Sequence, residues 1–393
     1  MTYKEIDYII NSQIKFTKTN SNSVNYRIQI LNSLLKTISK NESKIYDALK
    51  KDLNKHEFES FLSEVLLVKR EIKLFTKKLK RWSRKKRVSG SIFNFPSKNY
   101  LIPEPYGNTL IITPWNYPFQ LLFTPLIGAI AGGNCAVLKP SEFAPATAKV
   151  MAKIVDDLFP NNYMLYLEGD GATILPPLLT ENRFDHIFYT GSTFVGKIIY
   201  KQAAEKLVPV TLELGGKSPA VLTSDANVRV AARRIANSKY SNCGQMCVAP
   251  DYVLVPTALK DSLIEELMIA TKKFYGEDPE NTDGYGKIIN EKQWQRLVGY
   301  LQDGKVVYGG KSNPATLFIE PTILTDVALD SKIMQDEIFG PILPILTYDT
   351  NEEALAIINR HPNPLAFYVF TSNNTTEQYW LNNVPSGGAC VNN

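Results

Sequence analysis

The chain has 393 residues, 44% hydrophobic and 21% charged, with a net charge of +5. That balance is ordinary for a folded globular protein, and the length allows two or three domains. Four cysteines are too few for a disulfide scaffold, so a reducing, cytoplasmic setting is expected. The opening MTYKEIDYIINSQIK lacks the apolar core of a signal peptide, and no stretch approaches the ~18 apolar residues a spanning helix needs.

Residues 1–80 read as helices; IQILNSLLKTISKNESKIYDALKKDL has apolar residues at three- and four-residue steps. Residues 69–87 hold eleven Lys or Arg and one Glu, a net +10, which leaves the rest of the chain at net −5. Val68, Ile72, Phe75, Leu79 and Trp82 recur through this stretch at helical spacing. Three readings stay open for it: the solvated face of a packed helix, contact with an anionic membrane surface, or nucleic-acid binding. No nucleic-acid motif accompanies the cluster, so no nucleic-acid partner is expected.

The segment SIFNFPSKNYLIPEPYG follows, and residues 88–105 are expected to project as a β-arm. From about Tyr100 short apolar runs alternate with helical stretches, from TLIIT through CAVLKP, MLYLEG and HIFYTG to PVTLEL. This alternation predicts an open α/β parallel sheet. A second series follows, with a helix at 226–240, a strand at 252–255 and a helix at 257–274, and continues to EIFGPILPIL and LAFYVFTS. The predicted division is 1–213, helical N-terminus plus nucleotide-binding domain; 214–388, catalytic domain; and 389–393, the start of a C-terminal segment.

Several stretches are candidate sites. TPWNYPF (Thr113–Phe119) follows a buried strand, and its two prolines constrain the backbone. Asn116 there is either a turn residue or a ligand-binding amide at a strand's carboxyl end. In LKPSE, Lys139 and Glu142 are either solvated loop charges or partners for ribose hydroxyls. In YTGSTFVG, Gly191 and Gly196 permit close backbone approach, and Ser192 stands at the start of a helix. That arrangement suits a pyrophosphate but is also what a plain helix cap looks like. Glu213 in LELGGKSP sits among apolar neighbours. It reads either as a desolvated base or as a paired structural carboxylate. In SNCGQMCVAPDY, Cys243 and Cys247 lie four residues apart. They read as a metal or disulfide pair, as inert thiols, or as containing one nucleophile.

Taken in order, TPWNYPF, LKPSE, TGSTFVGK, LELGGKSP, GQMCVAPDYVLV and MQDEIFGPILPI resemble the aldehyde dehydrogenase superfamily, in particular its class 3 branch of fatty and aromatic aldehyde dehydrogenases. The resemblance covers nearly everything from about residue 50 onward. It implies an α/β fold: a Rossmann-like cofactor domain, an α/β catalytic domain, and a β-arm for oligomerisation. It implies NAD as coenzyme, with NADP the alternative, and oxidation of an aldehyde to a carboxylic acid. Cys247 matches the family's nucleophile and Cys243 falls where a small residue is usual. A metal site would need further ligands, and none of the chain's three histidines is near in sequence.

The resemblance further assigns Asn116 to the oxyanion and Glu213 to activation of the hydrolytic water. It places Trp115, Lys139, Glu142, Gly191, Ser192 and Gly196 with the coenzyme, Glu337 at the nicotinamide ribose and Phe339 near the ring. Glu142 accepting from a ribose 2′-hydroxyl favours NAD. A small-molecule aldehyde and a homodimer are the implied partners, with peripheral membrane contact through residues 69–87 as an additional expectation. Two departures stand out. Ser386 occupies a position where the family has an aromatic residue, and the chain ends where the family continues with a Gly-rich loop and a further strand. The alternative function is therefore a shortened, catalytically impaired homologue that only binds nucleotide.

Overall fold

The structure is a computed structural model that describes residues 2–17 and 23–393. The chain divides into two compact units: residues up to 49 together with 57–213, and residues 50–56 together with 214–393.

The first unit opens with helices α1 (Tyr3–Thr17), α2 (Val24–Lys40) and α3 (Glu42–Leu53), the last of which runs on into the second unit's 50–56 segment. A short α4 (Glu57–Ser60) passes through one π turn (Phe61–Val65) into α5 (Leu66–Trp82). Leu31, Leu34 and Ile38 of α2 bury their side chains in one core with Val68, Ile72 and Leu79 of α5 and with Phe119, Leu122 and Phe123. Each such burial contributes about 1.5–3 kcal/mol before conformational entropy is charged against it.

The basic stretch is only partly helical. The helix stops at Trp82, and β1 (Lys86–Val88) pairs antiparallel with β2 (Asn99–Leu101). Of the four cations at 84–87, Lys86 and Arg87 lie in β1, and Lys85 lies over the Tyr100 ring at 3.7 Å. The hairpin's connecting segment exposes Ile92, Phe93 and Phe95 to 84%, 94% and 86%.

The remaining elements of this unit alternate strand and helix: β3 (Asn108–Ile112), α6 (Pro118–Gly132), β4 (Cys135–Lys139), α7 (Pro145–Leu158), β5 (Met164–Tyr166), α8 (Gly171–Glu181), β6 (His186–Thr190), α9 (Thr193–Glu205) and β7 (Val210–Glu213). The strands form one parallel sheet in the order β5-β4-β3-β6-β7. The chain moves outward from β3 to β5, then returns to lay β6 on the other side of β3. The strand order reverses there, and in open parallel sheets ligands bind beyond the carboxyl ends of the strands at that point.

The second unit contains β8 (Pro219–Leu222), α10 (Val228–Tyr240), β9 (Tyr252–Pro256), α11 (Lys260–Tyr275), α12 (Glu291–Tyr300), β10 (Lys305–Tyr308) and a small ribbon of β11 (Ser312–Asn313) and β12 (Phe318–Ile319). It continues with β13 (Thr322–Thr325), α13 (Lys332–Gln335), β14 (Ile342–Tyr348), α14 (Asn351–Ile358), β15 (Ala366–Phe370), α15 (Asn374–Asn383) and β16 (Gly388–Val391). Its seven-stranded sheet runs β10-β13-β14-β9-β8-β15-β16, with only β10 antiparallel to its neighbour. Residues 389–391 thus lie in the sheet's edge strand. Segment 50–56 is tied to this unit by Lys287 N–H donating to Leu53 O at 2.9 Å and by the Asn54 amide donating to Tyr285 O at 2.9 Å. Among the described residues, no helix is long and apolar enough to cross a membrane.

Candidate active site

In the first unit every singled-out stretch leaves the carboxyl end of a strand. After β3, Thr113 N–H donates to Lys139 O at 3.1 Å, which ties this turn to the end of β4. Pro114 and a half-buried Trp115 lead to Asn116, which is buried, and Tyr117–Pro118 open α6. A residue that the sequence reading did not single out fixes this turn. Glu64, fully buried in the π turn, accepts from Phe119 N–H at 2.8 Å and Gln120 N–H at 3.1 Å. It satisfies two of the donors that a helix N-terminus leaves over and places a carboxylate at the positive end of α6. The only hint in sequence is an acidic residue inside the apolar run FLSEVLLV.

After β4, Lys139 is buried rather than solvated, which removes the surface-charge reading. Its ammonium donates to Pro140 O at 2.6 Å and to Glu142 Oε2 at 3.3 Å. Burial lowers its pKa and the Glu142 carboxylate opposes that shift. After β6, Gly191 N–H donates to Glu213 O at 3.0 Å, and a side chain at Gly191 would run into the Tyr189 hydroxyl. Ser192 caps α9, accepting from Val195 N–H at 3.4 Å, and Gly196 is buried in the helix's first turn. The capping and coenzyme readings are thus compatible: Ser192 and Thr193 remain exposed at the helix N-terminus.

Glu213 corrects its expectation. It ends the edge strand β7 and is exposed, so the desolvation inferred from its apolar neighbours in sequence is absent. Leu212 and Leu214 say little about their neighbour, because successive strand side chains face opposite ways.

In the second unit Cys247 follows a turn held on every side. Asn242, Cys243 and Gly244 have φ of 49°, 56° and 72°, three consecutive left-handed residues. Buried Gln245 clamps the turn: its amide donates to Asn242 O and to Lys287 O, both at 3.0 Å, and its carbonyl accepts from Ile289 N–H at 3.0 Å. A side chain on Gly244 would collide with Gly340 O. Cys243 is fully buried and Cys247 half-buried. None of the four cysteines is joined in a disulfide. The Tyr368 hydroxyl donates to Val248 O, and burial, with Cys390 and Cys247 nearby, pushes it up to about 12.

Glu337 and Phe339 lie between α13 and β14. Phe339 has a left-handed φ of 52°. The Glu337 carboxylate lies against Gly215, where no side chain would fit, and accepts from Gly216 N–H. Burial, with Asp251 second, pushes it up to about 8. Lys217 and Asp251 form a buried ion pair beside it. Both stand within motifs quoted above, yet composition alone gave no reason to pair them.

In the first unit, loops and a helix N-terminus gather at the reversal point of a parallel sheet, the arrangement that suits a dinucleotide; in the second, a cysteine turn is rigidly braced. The chain belongs to the aldehyde dehydrogenase family, which it matches across residues 1–393. It is similar to the 4,4'-diaponeurosporen-aldehyde dehydrogenase of Staphylococcus aureus (strain NCTC 8325 / PS 47), 44% identical over 97% of this chain and 83% of that one. It is also similar to aldehyde dehydrogenase family 3 member A2 of Pongo abelii, 41% identical over 96% and 77% of the two chains. Among solved structures, Staphylococcus aureus AldH in a substrate-bound state superposes with a TM-score of 0.96 at 43% identity, covering 100% of this chain and 86% of that one. The NAD+ complex of an aldehyde dehydrogenase from Bacillus cereus has a TM-score of 0.88 at 25% identity, covering 99% and 81%. The chain is a class 3-like, NAD(P)-dependent aldehyde dehydrogenase that oxidises an aldehyde to a carboxylic acid. Family membership with every quoted motif present favours the enzyme over the nucleotide-binding alternative.

Proposed function

We propose that Cys247 is the nucleophile of this oxidation and that Asn116 and Glu213 serve it. The observation that carries the assignment is the contrast between the two cysteines of the turn: Cys243 is fully buried at a left-handed position, whereas Cys247 is half-buried beyond the Gln245 clamp. Substrate can reach only the second. The Cys247 thiolate adds to the aldehyde carbon and gives a tetrahedral thiohemiacetal. The developing oxyanion takes hydrogen bonds from the Asn116 amide and the Cys247 N–H; loss of one such donor costs on the order of 10²–10³ in rate. When bound, NAD(P) supplies the hydride acceptor. Cys247 is left carrying the acyl group as a thioester. Glu213 takes a proton from water, the water oxygen attacks the acyl carbon, and Cys247 leaves as the thiolate while the acid departs. The exposure of Glu213 keeps it in contact with the solvent that supplies this water.

The strand-end residues fit the coenzyme. Lys139 and Glu142 are assigned to the adenosine ribose, Gly191, Ser192 and Gly196 to the pyrophosphate, Trp115 beside them, and Glu337 and Phe339 to the nicotinamide end. Supporting this, Lys139 is buried and oriented by Glu142, and the α9 N-terminus is open at Ser192 and Thr193. The hairpin's exposed Ile92, Phe93 and Phe95 support a homodimer that covers them, and the cations of 69–87 beside exposed Leu67 and Leu74 support contact with an anionic membrane surface.

The nucleophile is tested with two variants. Cys247→Ser abolishes aldehyde oxidation while NAD binding by titration stays intact, because a hydroxyl is a far weaker nucleophile than a thiolate. Cys243→Ala keeps turnover near wild type. Loss of activity in Cys243→Ala with retention in Cys247→Ser would overturn the assignment.

A further inference from the structure

Lys217 and Lys239 both lie in the interior of the second unit, and they are held very differently. Lys217 uses all three ammonium protons: it donates to the Asp251 carboxylate, to Ile333 O at 2.8 Å and to Asp336 O at 3.0 Å. The other Asp251 oxygen accepts from Ile338 N–H at 2.9 Å. Lys217 and Asp251 therefore brace the chain on both sides of Glu337. Lys239, in the last turn of α10, is fully buried and its ammonium makes no protein hydrogen bond. The end of α10 and the loop of Glu337 meet at Gly244, whose missing side chain leaves room for Gly340 O and Lys239 O.

An interior ammonium without hydrogen bonds is costly, and a buried charge is often replaced by an apolar residue of similar volume at no loss of stability. Packing of α10 gives no reason for a lysine at this position. The charged groups that Lys239 feels are Asp251, Lys217 and Glu337. Asp251 acts on Lys239 most strongly, but it is already paired with Lys217; at Glu337, which has no such ion pair, Lys239 is the strongest of the nearby positive charges, ahead of Lys217. We propose that Lys239 is a positioning residue that sets the charge of the Glu337 carboxylate and keeps it able to ionise and accept the coenzyme's ribose hydroxyls. The second half of this statement rests on the assignment of Glu337 given above.

The electrostatics agree in sign. Burial and Asp251 raise the Glu337 carboxyl, while Lys239, Lys217 and the Gly216 N–H lower it, with the balance at about 8. Burial lowers Lys239 to about 8, with Lys217 acting the same way and Asp251 and Glu337 opposing. Arg296 donates to the main chain of this loop, to Glu337 O at 3.4 Å and Ile338 O at 2.8 Å, and otherwise to the side chains of Gln293 and Tyr300. Removing the Lys239 charge raises Glu337 further, so its carboxylate forms only at higher pH.

The test uses the full chain as wild type, Lys239→Met, Lys239→Arg, Glu337→Gln and the Lys239→Met/Glu337→Gln double variant. NAD affinity is titrated across the neutral-to-alkaline range, and the protonated-carboxyl stretch is followed by infrared difference spectroscopy without coenzyme. Lys239→Met is expected to weaken NAD binding about tenfold near neutrality, the loss in ionised fraction for each tenfold rise in the carboxyl's proton affinity. The deficit closes as pH rises, kcat at saturating NAD changes less than the affinity, and Lys239→Arg restores most of the loss. The protonated-carboxyl band persists to higher pH in Lys239→Met and is missing from the double variant. An unchanged band in Lys239→Met, or an affinity deficit equal at every pH, overturns the proposal. NAD binding unaltered in Glu337→Gln would instead overturn the ribose assignment, while the infrared band would still report whether Lys239 sets the carboxyl's charge.

Discussion

At the scale of single residues, side chains that looked alike in sequence part company once burial is known. Lys139 is an interior ammonium paired with Glu142, while Glu213, flanked by leucines, stands in solvent. Glu64 makes the sharpest test, because its carboxylate is the acceptor for two N–H groups of α6. Glu64→Ala strands both donors, and each unsatisfied buried donor costs about 1–3 kcal/mol. A loss of roughly 2–5 kcal/mol in denaturant titration is expected, with Glu64→Gln losing less because its amide oxygen still accepts. The same turn carries Asn116, so aldehyde turnover in Glu64→Ala should fall more than that of a surface variant of equal stability. Equal turnover in the two would show that α6 is positioned without Glu64.

At the scale of elements, the cysteine turn and the loop of Glu337 are held together by an absent side chain. Gly244 has a φ of 72°, and a β-carbon there would collide with Gly340 O. Gly244→Ala must displace one of the two backbones and hold a left-handed φ as well, a strain of order 1–3 kcal/mol. Displacements of about 1 Å at a reacting group cost on the order of 10² in rate. Steady-state assays are therefore expected to show a loss of that size, with the secondary structure unchanged by circular dichroism. The turn's glycine was visible in sequence; the carbonyl it makes room for lies 96 positions on and was not.

At the scale of the whole molecule, charge is concentrated rather than spread. Residues 69–87 hold a net +10 in a chain of net +5, and the structure divides this cluster between α5, the hairpin strand β1 and the short connection that carries Arg84 and Lys85. Neutralising Lys77, Lys78, Lys80 and Arg81 leaves solution activity unchanged, since none belongs to the proposed site. Co-sedimentation with vesicles rich in phosphatidylserine is expected to fall by about 1 kcal/mol per charge removed near the surface, and wild-type binding to weaken as salt shortens the screening length. No sedimentation of the wild-type chain at low salt would end the membrane reading.

The sequence by itself determined the alternation of strands and helices, the placing of the motifs after successive strands, and the family, while the order of the strands came from the tertiary structure. The first three follow from local periodicity and from short stretches whose residue types are constrained one by one. Which acidic and basic groups are buried, and against what, was decided by the tertiary structure alone. Glu64 with the α6 N-terminus and Lys217 with Asp251 are pairings across 34 to 56 positions of sequence. Their energies depend on local dielectric and on distance, which the order of residues does not encode.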